Sequence, residues 1–353
     1  MNEQLSLFTE PNLCIRTPVR LIEMFSGIGA QAKAMERLGA DFETWRAYDI
    51  DKYAVQAYNA IHGTSFVPTD ITKIHADDLG ICDRDKFTYL LTYSFPCQDL
   101  SGIGLKKGYG KGSDTRSGLL WEVERILKEC GDNLPQILLM ENVPHVCQDS
   151  NRHDFDQWKE SLMDMGYTNT YRVLNALDYG IPQNRERCFM ISWLGHYQYQ
   201  WPDPIHLNRD LSDYVEQSVD RKYYLTESQL RGLREREKKQ KAMHNGFGTF
   251  IPIDPSVPGA YAKTLCVKYR RGTDNYLHDA TGIRRLSPKE YWRLMDFADR
   301  DFKNAAEVVS VTQLYKQAGN SICVNVLVAV FGQMFEGKET VYRDRFEKGE
   351  NDG

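Results

Sequence analysis

The sequence predicts an α/β fold, a mostly parallel sheet covered by helices, with a second, smaller and irregular region attached. Three observations carry this. Apolar, β-prone runs alternate with helical repeats through the first half of the chain. Residues able to do chemistry fall repeatedly where such a run ends, the place where open parallel sheets bind ligands. Near residue 195 the alternation stops, and aromatic, proline and basic residues take over until about residue 282.

The first unit is VRLIEMF, a strand, followed by the turn FSGIGA and a helix over QAKAMERL that stops at Gly39. FETWRAYDID repeats the pattern, ending in acids, and KYAVQAYNAIH reads as its helix, closed by Gly63. KFTYLLTYSF is a third strand running into Pro96-Cys97, and PQILLMENV a fourth ending at Glu141-Asn142. GIGLKKGYGKGSDTRSG, residues 102–118, has the glycine content of a mobile loop. Helical spacing returns in SPKEYWRLMDF and, after QAGNSIC, in VNVLVAVFGQMF. These features divide the chain into 1–195, 196–282, a return over 283–337 and a surface tail over 338–353.

At 353 residues the chain is long enough for a self-sufficient core. Its eight cysteines are scattered and form no CxxC pair, which argues for reduced thiols over a disulfide framework or zinc site. No apolar run approaches the length of a membrane span, and MNEQLSLFTE lacks a signal-peptide pattern, so the expected compartment is the cytoplasm. A formal charge of −5 does not advertise nucleic-acid binding. Its distribution is more informative, because basic residues crowd into 221–241 and again into 263–293. A local basic face can hold phosphates, although a charge run by itself reads as a solvated helix face.

The turn FSGIGA lets a backbone approach a ligand at a helix N-terminus. Asp49 closes the second strand, where a carboxylate accepts from ribose hydroxyls, and Asp70 in VPTDITKI is suited to an adenine amino group, with Ile71 against the ring. Either aspartate alone would read as a helix cap. Cys97 follows a proline at a strand end, a setting for a nucleophile, although an isolated cysteine is more often inert. Glu141-Asn142 ends the neighbouring strand, where a raised carboxyl pKa and a general-acid role become plausible. Arg185 and Arg187 alternate into a further strand, QNRERCFMI, and could orient both that carboxyl group and a substrate.

FSGIG, PCQ, ENV, QNRER, RRLSPKEYWRLMDF and QAGNSICVNVL, in that order, resemble the ordered motifs of the C5-cytosine-specific DNA methyltransferase family, bacterial or phage type. The resemblance implies the Rossmann-like fold of S-adenosylmethionine-dependent methyltransferases, with S-adenosylmethionine as cofactor, no metal, and double-stranded DNA as substrate. It implies catalytic roles for Cys97, Gln98, Glu141, Asn142, Arg185 and Arg187: Cys97 as nucleophile, Glu141 at ring nitrogen 3, Arg185 at the base oxygen with Arg187 in support, Asn142 fixing the Cys97 loop. It implies cofactor contacts at Phe25, Ser26, Gly27, Ile28, Gly29, Asp49, Ile50, Asp70, Ile71, Pro96, Leu119, Asn320 and Ser321. Residues 196–282 resemble a target recognition domain, and Ser101, Arg116, Thr264, Leu265, Tyr269, Arg270 and Arg271 would be DNA contacts. The base would be flipped from the duplex and covered by the 102–118 loop. A monomer is expected, with a separate cognate restriction endonuclease as a conceivable partner.

The sequence departs from the family pattern in having Asp49 for a glutamate, Ile50 for an aromatic residue, and Glu23-Met24 for Asp-Leu. Two rival readings have different signatures. The transfer-RNA branch resembles this chain but carries a Cys-Phe-Thr tripeptide absent here. A silent DNA-binding relative would lack a nucleophile or acid, and both are present.

Overall fold

A computed structural model describes residues 10–96, 110, 116–206, 209–242, 250–267 and 275–343. Its central strands are β1 (Val19–Met24), β2 (Phe42–Tyr48), β3 (Thr88–Tyr93) and β4 (Ile137–Asn142), joined by β5 (Tyr167–Asn175). A two-residue strand β6 (Gln183–Asn184) precedes β7 (Glu186–Leu194). The six-stranded sheet runs β2-β1-β3-β4-β7-β5, with the first four strands parallel and β7 antiparallel to both of its neighbours. The interior strands are apolar on both faces because both faces are covered. Leu21, Leu90 and Leu139 enter one hydrophobic layer, while Ile22, Leu91 and Met140, one residue on, enter the other.

Helices α1 (Ala30–Leu38) and α2 (Lys52–His62) follow β1 and β2, stopped at Gly39 and Gly63 in left-handed conformation. Helices α3 (Leu120–Glu129) and α4 (Arg152–Asp164) flank β4. Beyond β7 come a 16-residue helix α5 (Glu227–Ala242), a two-residue strand β8 (Ala262–Lys263) paired with β6, and a hairpin of β9 (Tyr276–Asp279) and β10 (Gly282–Arg285). Four helices then return to the sheet: α6 (Pro288–Leu294), α7 (Asp299–Ala306), α8 (Val311–Asn320) and α9 (Val324–Gly332). All nine residues of α9 are buried, and it packs on α1. The expected surface tail from 338 is corrected at its start. Tyr342 is buried, and its hydroxyl donates to the Asp203 carbonyl at 2.8 Å.

The hairpin is fixed to α6 by charge. Buried Arg284 forks onto both oxygens of Glu290, at 2.9 and 2.8 Å, and reaches Asp279 at 2.8 Å. Glu290 also accepts from the Ser287 N–H, and Ser287 caps α6 in return, so one carboxylate starts the helix and holds the hairpin.

Glu23 lies fully buried in β1 and accepts from the Tyr58 hydroxyl, with its Oε1 unpartnered among the described residues. Burial pushes its carboxyl up to about 7. The folded form then holds a proton that the unfolded chain releases from about pH 4.5 upward, so this group makes stability fall as pH rises towards 7. Glu23→Gln is expected to raise stability by about 2–3 kcal/mol at pH 8 and to change little at pH 4. Thermal melts across pH check it; equal shifts at both pH values contradict it.

Candidate functional site

The carboxyl ends of β1, β2, β3 and β4 open onto a cleft of about 360 Å³. Parallel strands bring four loop starts to one edge. Because β7 runs the other way, its first residues join them: Cys188 pairs with Asn142 and Phe189 with Glu141, which leaves Arg187 just beyond the end of β4. Of the expected cofactor contacts, Phe25, Ser26, Gly27, Ile28, Asp49, Ile50, Asp70, Ile71, Pro96, Leu119, Asn320 and Ser321 all line this cleft, as do Glu141, Asn142, Arg185 and Arg187.

Phe25 takes a left-handed backbone conformation at φ 57°, uncommon for a bulky residue and a frequent mark of functional turns. The turn is held by Asp49, whose Oδ2 accepts from the Gly27 N–H at 2.9 Å and Oδ1 from Asp51 at 2.8 Å. Each oxygen keeps a second lone pair. Burial raises the Asp49 carboxyl, and the two N–H groups oppose that shift. Asp70 caps the 3-10 turn Ile71–Lys73 through Oδ1, accepting from the Thr72 N–H and hydroxyl, and these bonds lower its pKa. Gly29 is not among the residues that line the cleft. Its φ is 78°, and a Cβ there would stand 2.2 Å from His62 Nε2, so the glycine admits a packed histidine rather than a ligand.

Glu141 is buried, and its Oε1 lies 3.1 Å from Arg187 Nε. Burial raises the carboxyl, with Arg187, Arg185 and the Ser94 hydroxyl pulling the other way. Asn142 donates from Nδ2 to the Phe95 carbonyl at 3.0 Å and accepts from the Val143 N–H, which ties β4 to the segment leading into Cys97. Arg185 also lines the cleft, but both of its terminal nitrogens are engaged elsewhere and its buried Nε has no partner among the described residues. Its guanidinium donates to the carbonyls of Leu265, Gly319 and Ser321 at 3.1, 3.0 and 2.7 Å, and burial pulls its pKa down to about 10. The arginine beside Glu141 is therefore Arg187, whereas the sequence reading gave Arg185 the substrate and Arg187 the support.

The recognition-side residues separate. Thr264 Oγ1 donates to the Asn184 carbonyl at 2.6 Å. Leu265 is 1% exposed and sits in the core, its N–H bonded to buried Gln183; it is not a DNA-facing residue. Gly319 permits this crossing, since a Cβ there would meet the Cys266 carbonyl carbon and the Val267 nitrogen at 2.9 Å. Cys97, Gln98, Ser101, Tyr269, Arg270 and Arg271, with the side chain of Arg116, lie outside the described residues. Pro96, which Cys97 follows in sequence, lines the cleft.

Among the lining residues that the sequence reading did not name are Lys316 and Gln317. Lys316 bonds Asp51 at 2.5 Å, and Gln317 donates to the Tyr53 carbonyl at 2.9 Å, so α8 is clamped to the start of α2 across the cleft. The available signal was spacing, because Lys316 stands one helical turn before Asn320.

Residues 19–336 match the C-5 cytosine-specific DNA methylase family. The chain is 34% identical over 318 residues to the type II methyltransferase M.NlaX of Neisseria lactamica, covering 89% of this chain and 96% of that protein. It is 30% identical over 379 residues to the orphan methyltransferase M.SssI of Spiroplasma monobiae, covering 90% and 97%. Among solved structures it resembles in fold the Entamoeba histolytica methyltransferase EhMeth, with a TM-score of 0.72 at 19% identity, over 91% of this chain and 99% of the other. No helix among the described residues is long and apolar enough to cross a membrane.

Proposed function

The chain belongs to the C-5 cytosine-specific DNA methylase family and is a DNA cytosine-5 methyltransferase; from that premise we propose that it methylates a flipped cytosine in a short duplex sequence through a covalent Cys97 adduct. The observation that carries this is the pairing of buried Glu141 with Arg187 at the mouth of a cleft whose wall includes Pro96. The cleft suits a nucleoside with a charged tail. The Gly27 turn and the spare lone pairs of Asp49 and Asp70 offer hydrogen bonds, while Ile50, Ile71, Phe25 and Leu119 offer apolar surface to a ring. When bound there, S-adenosylmethionine supplies an electrophilic methyl group.

The protein's own residues prepare the base. The Cys97 thiolate adds to carbon 6, and the electron pair released makes carbon 5 nucleophilic. Glu141, held towards its protonated form by burial, donates to ring nitrogen 3 and stabilises the charge that addition creates. Arg187 takes the base oxygen, because it is the arginine paired with Glu141, whereas the terminal nitrogens of Arg185 donate to backbone carbonyls. After carbon 5 has gained its methyl group its proton passes to water, the electron pair left behind breaks the carbon 6–sulfur bond, and the Cys97 thiolate is restored. Arg185 acts as a brace joining β7 to 265 and to the end of α8. By the family resemblance, Gln98 belongs with the nucleophile, and Ser101, Arg116, Tyr269, Arg270 and Arg271 with DNA contact.

We infer a monomer on DNA in the cytoplasm, acting as the modification half of a restriction system or as an orphan or phage methylase. Base-resolution mapping of an unmethylated genome after incubation with the protein and S-adenosylmethionine tests the substrate, with transfer RNA in parallel. Methylcytosine at one short DNA motif is expected. Methylation confined to transfer RNA overturns the DNA reading, and the absence of both favours a silent relative.

A further inference from the structure

We propose that one flank of α5, within the 196–282 region, is a phosphate-tracking surface that grips one strand of duplex DNA; this rests on the DNA reading above. The helix carries six basic residues against three acidic ones in a chain whose formal charge is −5. Four of the six, Arg231, Arg234, Lys238 and Lys241, recur at intervals of three, four and three residues, which puts them on one flank. The acid in line with them, Glu227, lies in the first helical turn, where a carboxylate favours the helix dipole. Arg231, Arg234 and Lys238 are exposed and make no ion pair among the described residues, whereas Lys241 meets Glu237 at 2.9 Å.

The helix has no broad apolar face to bury. Only Leu230, Leu233 and Glu237 are half-buried among its described side chains, on the neighbouring flank. A helix this polar offers little hydrophobic surface to a protein partner, and its free charges call for an anionic one. Arg231 to Lys241 spans about 15 Å at 1.5 Å per residue, and one DNA strand presents a phosphate for about every 3.4 Å of duplex axis, so the stripe is long enough to meet several.

The base of the helix is pinned to a neighbouring hairpin. Tyr224 bridges to Arg284 and its hydroxyl donates to Asp279 at 3.0 Å, while the Leu225 N–H donates to the Ile283 carbonyl at 2.9 Å. Those residues form the β9–β10 hairpin. Asn275, immediately before that hairpin, in turn holds Lys263 through two bonds of 2.7 and 2.9 Å, next to Thr264. The stripe is thus an extension of the recognition side rather than an isolated surface feature.

The test compares the full-length protein with R231Q/R234Q/K238Q and with a control, R236Q/K239Q, that removes charge from other flanks. Binding to a duplex containing the target is measured between 50 and 200 mM salt, and in parallel to transfer RNA. Loss of three phosphate contacts should flatten the slope of log affinity against log salt by about 2.7, so the wild type loses about 40-fold more affinity over that range than the triple variant. The control should flatten it by less than one. An unchanged slope in the triple variant, with wild-type DNA binding intact, overturns the stripe alone. Equal flattening by both variants reduces the effect to net charge and also overturns it. A change seen only with transfer RNA overturns the commitment to DNA. Failure of the wild type to bind DNA at all overturns the reading on which the proposal rests.

Discussion

Cys97→Ala should abolish methyl transfer to DNA, by on the order of 10⁵-fold or more, while duplex affinity stays within a few-fold of wild type. The size follows from the chemistry. Carbon 5 of cytosine is a weak nucleophile until a group adds at carbon 6, and no other side chain in the proposed site can replace a thiolate in that addition. Binding is spread over phosphates and the recognition region, so losing one sulfur atom changes it little. Single-turnover methylation and duplex binding, measured on the same preparation, separate the two effects. A variant that lost both together would show Cys97 to be structural.

The two arginines should fail in opposite ways. Arg185→Ala leaves the carbonyls of Leu265, Gly319 and Ser321 without their donors in a buried junction. The expected cost is about 3–5 kcal/mol of stability. Lysine should rescue little, because a point charge cannot fork to three acceptors. Arg187→Ala should instead lower kcat/KM by about 10²–10³-fold, the loss typical of one stabilising donor, with a smaller change in melting temperature. Removing Arg187 also removes the first of the influences that oppose burial at Glu141, so the carboxyl should rise further and the alkaline limb of the pH–rate profile move to higher pH. If Arg185→Ala kept its stability and lost activity while Arg187→Ala did the reverse, the assignment drawn from the geometry would be wrong.

This pair also marks the limit of what the sequence makes legible. Alternating apolar runs, glycine stops and ordered motifs placed β1 to β4, α1, α2 and α9, and 16 of the 29 residues of the cleft wall, because those signals are local. Which of two arginines spaced by two faces the substrate depends on the register of β7 against β4 and on what stands behind it. Here that is the end of α8, more than a hundred residues away. Leu265 was misread for the same reason: its burial is set by Gln183 and by the close approach that Gly319 allows. Gly29 reads as part of a ligand loop until His62 is found against it. Tyr342 lies in a polar segment whose neighbours give no hint that one ring returns to the core.

The departures from the family pattern have physical readings as well. Asp49 is shorter than the glutamate it replaces and uses one lone pair on each oxygen to hold the turn, which leaves fewer for a ribose. Ile50 is 70% exposed at the lip of the cleft and offers an apolar face without aromatic stacking. Both bear on cofactor affinity, and neither touches the proposed chemistry at Glu141 and Arg187.

The most direct measurement is trapping on a duplex whose target cytosine is replaced by 5-fluorocytosine, with S-adenosylmethionine present, followed by denaturing electrophoresis and peptide mapping. Fluorine cannot leave as the carbon-5 proton does, so elimination stalls after addition. The account predicts a denaturant-stable protein–DNA adduct mapped to Cys97 and absent from Cys97→Ala. Efficient methylation of ordinary DNA with no adduct, or an adduct at another residue, would contradict it.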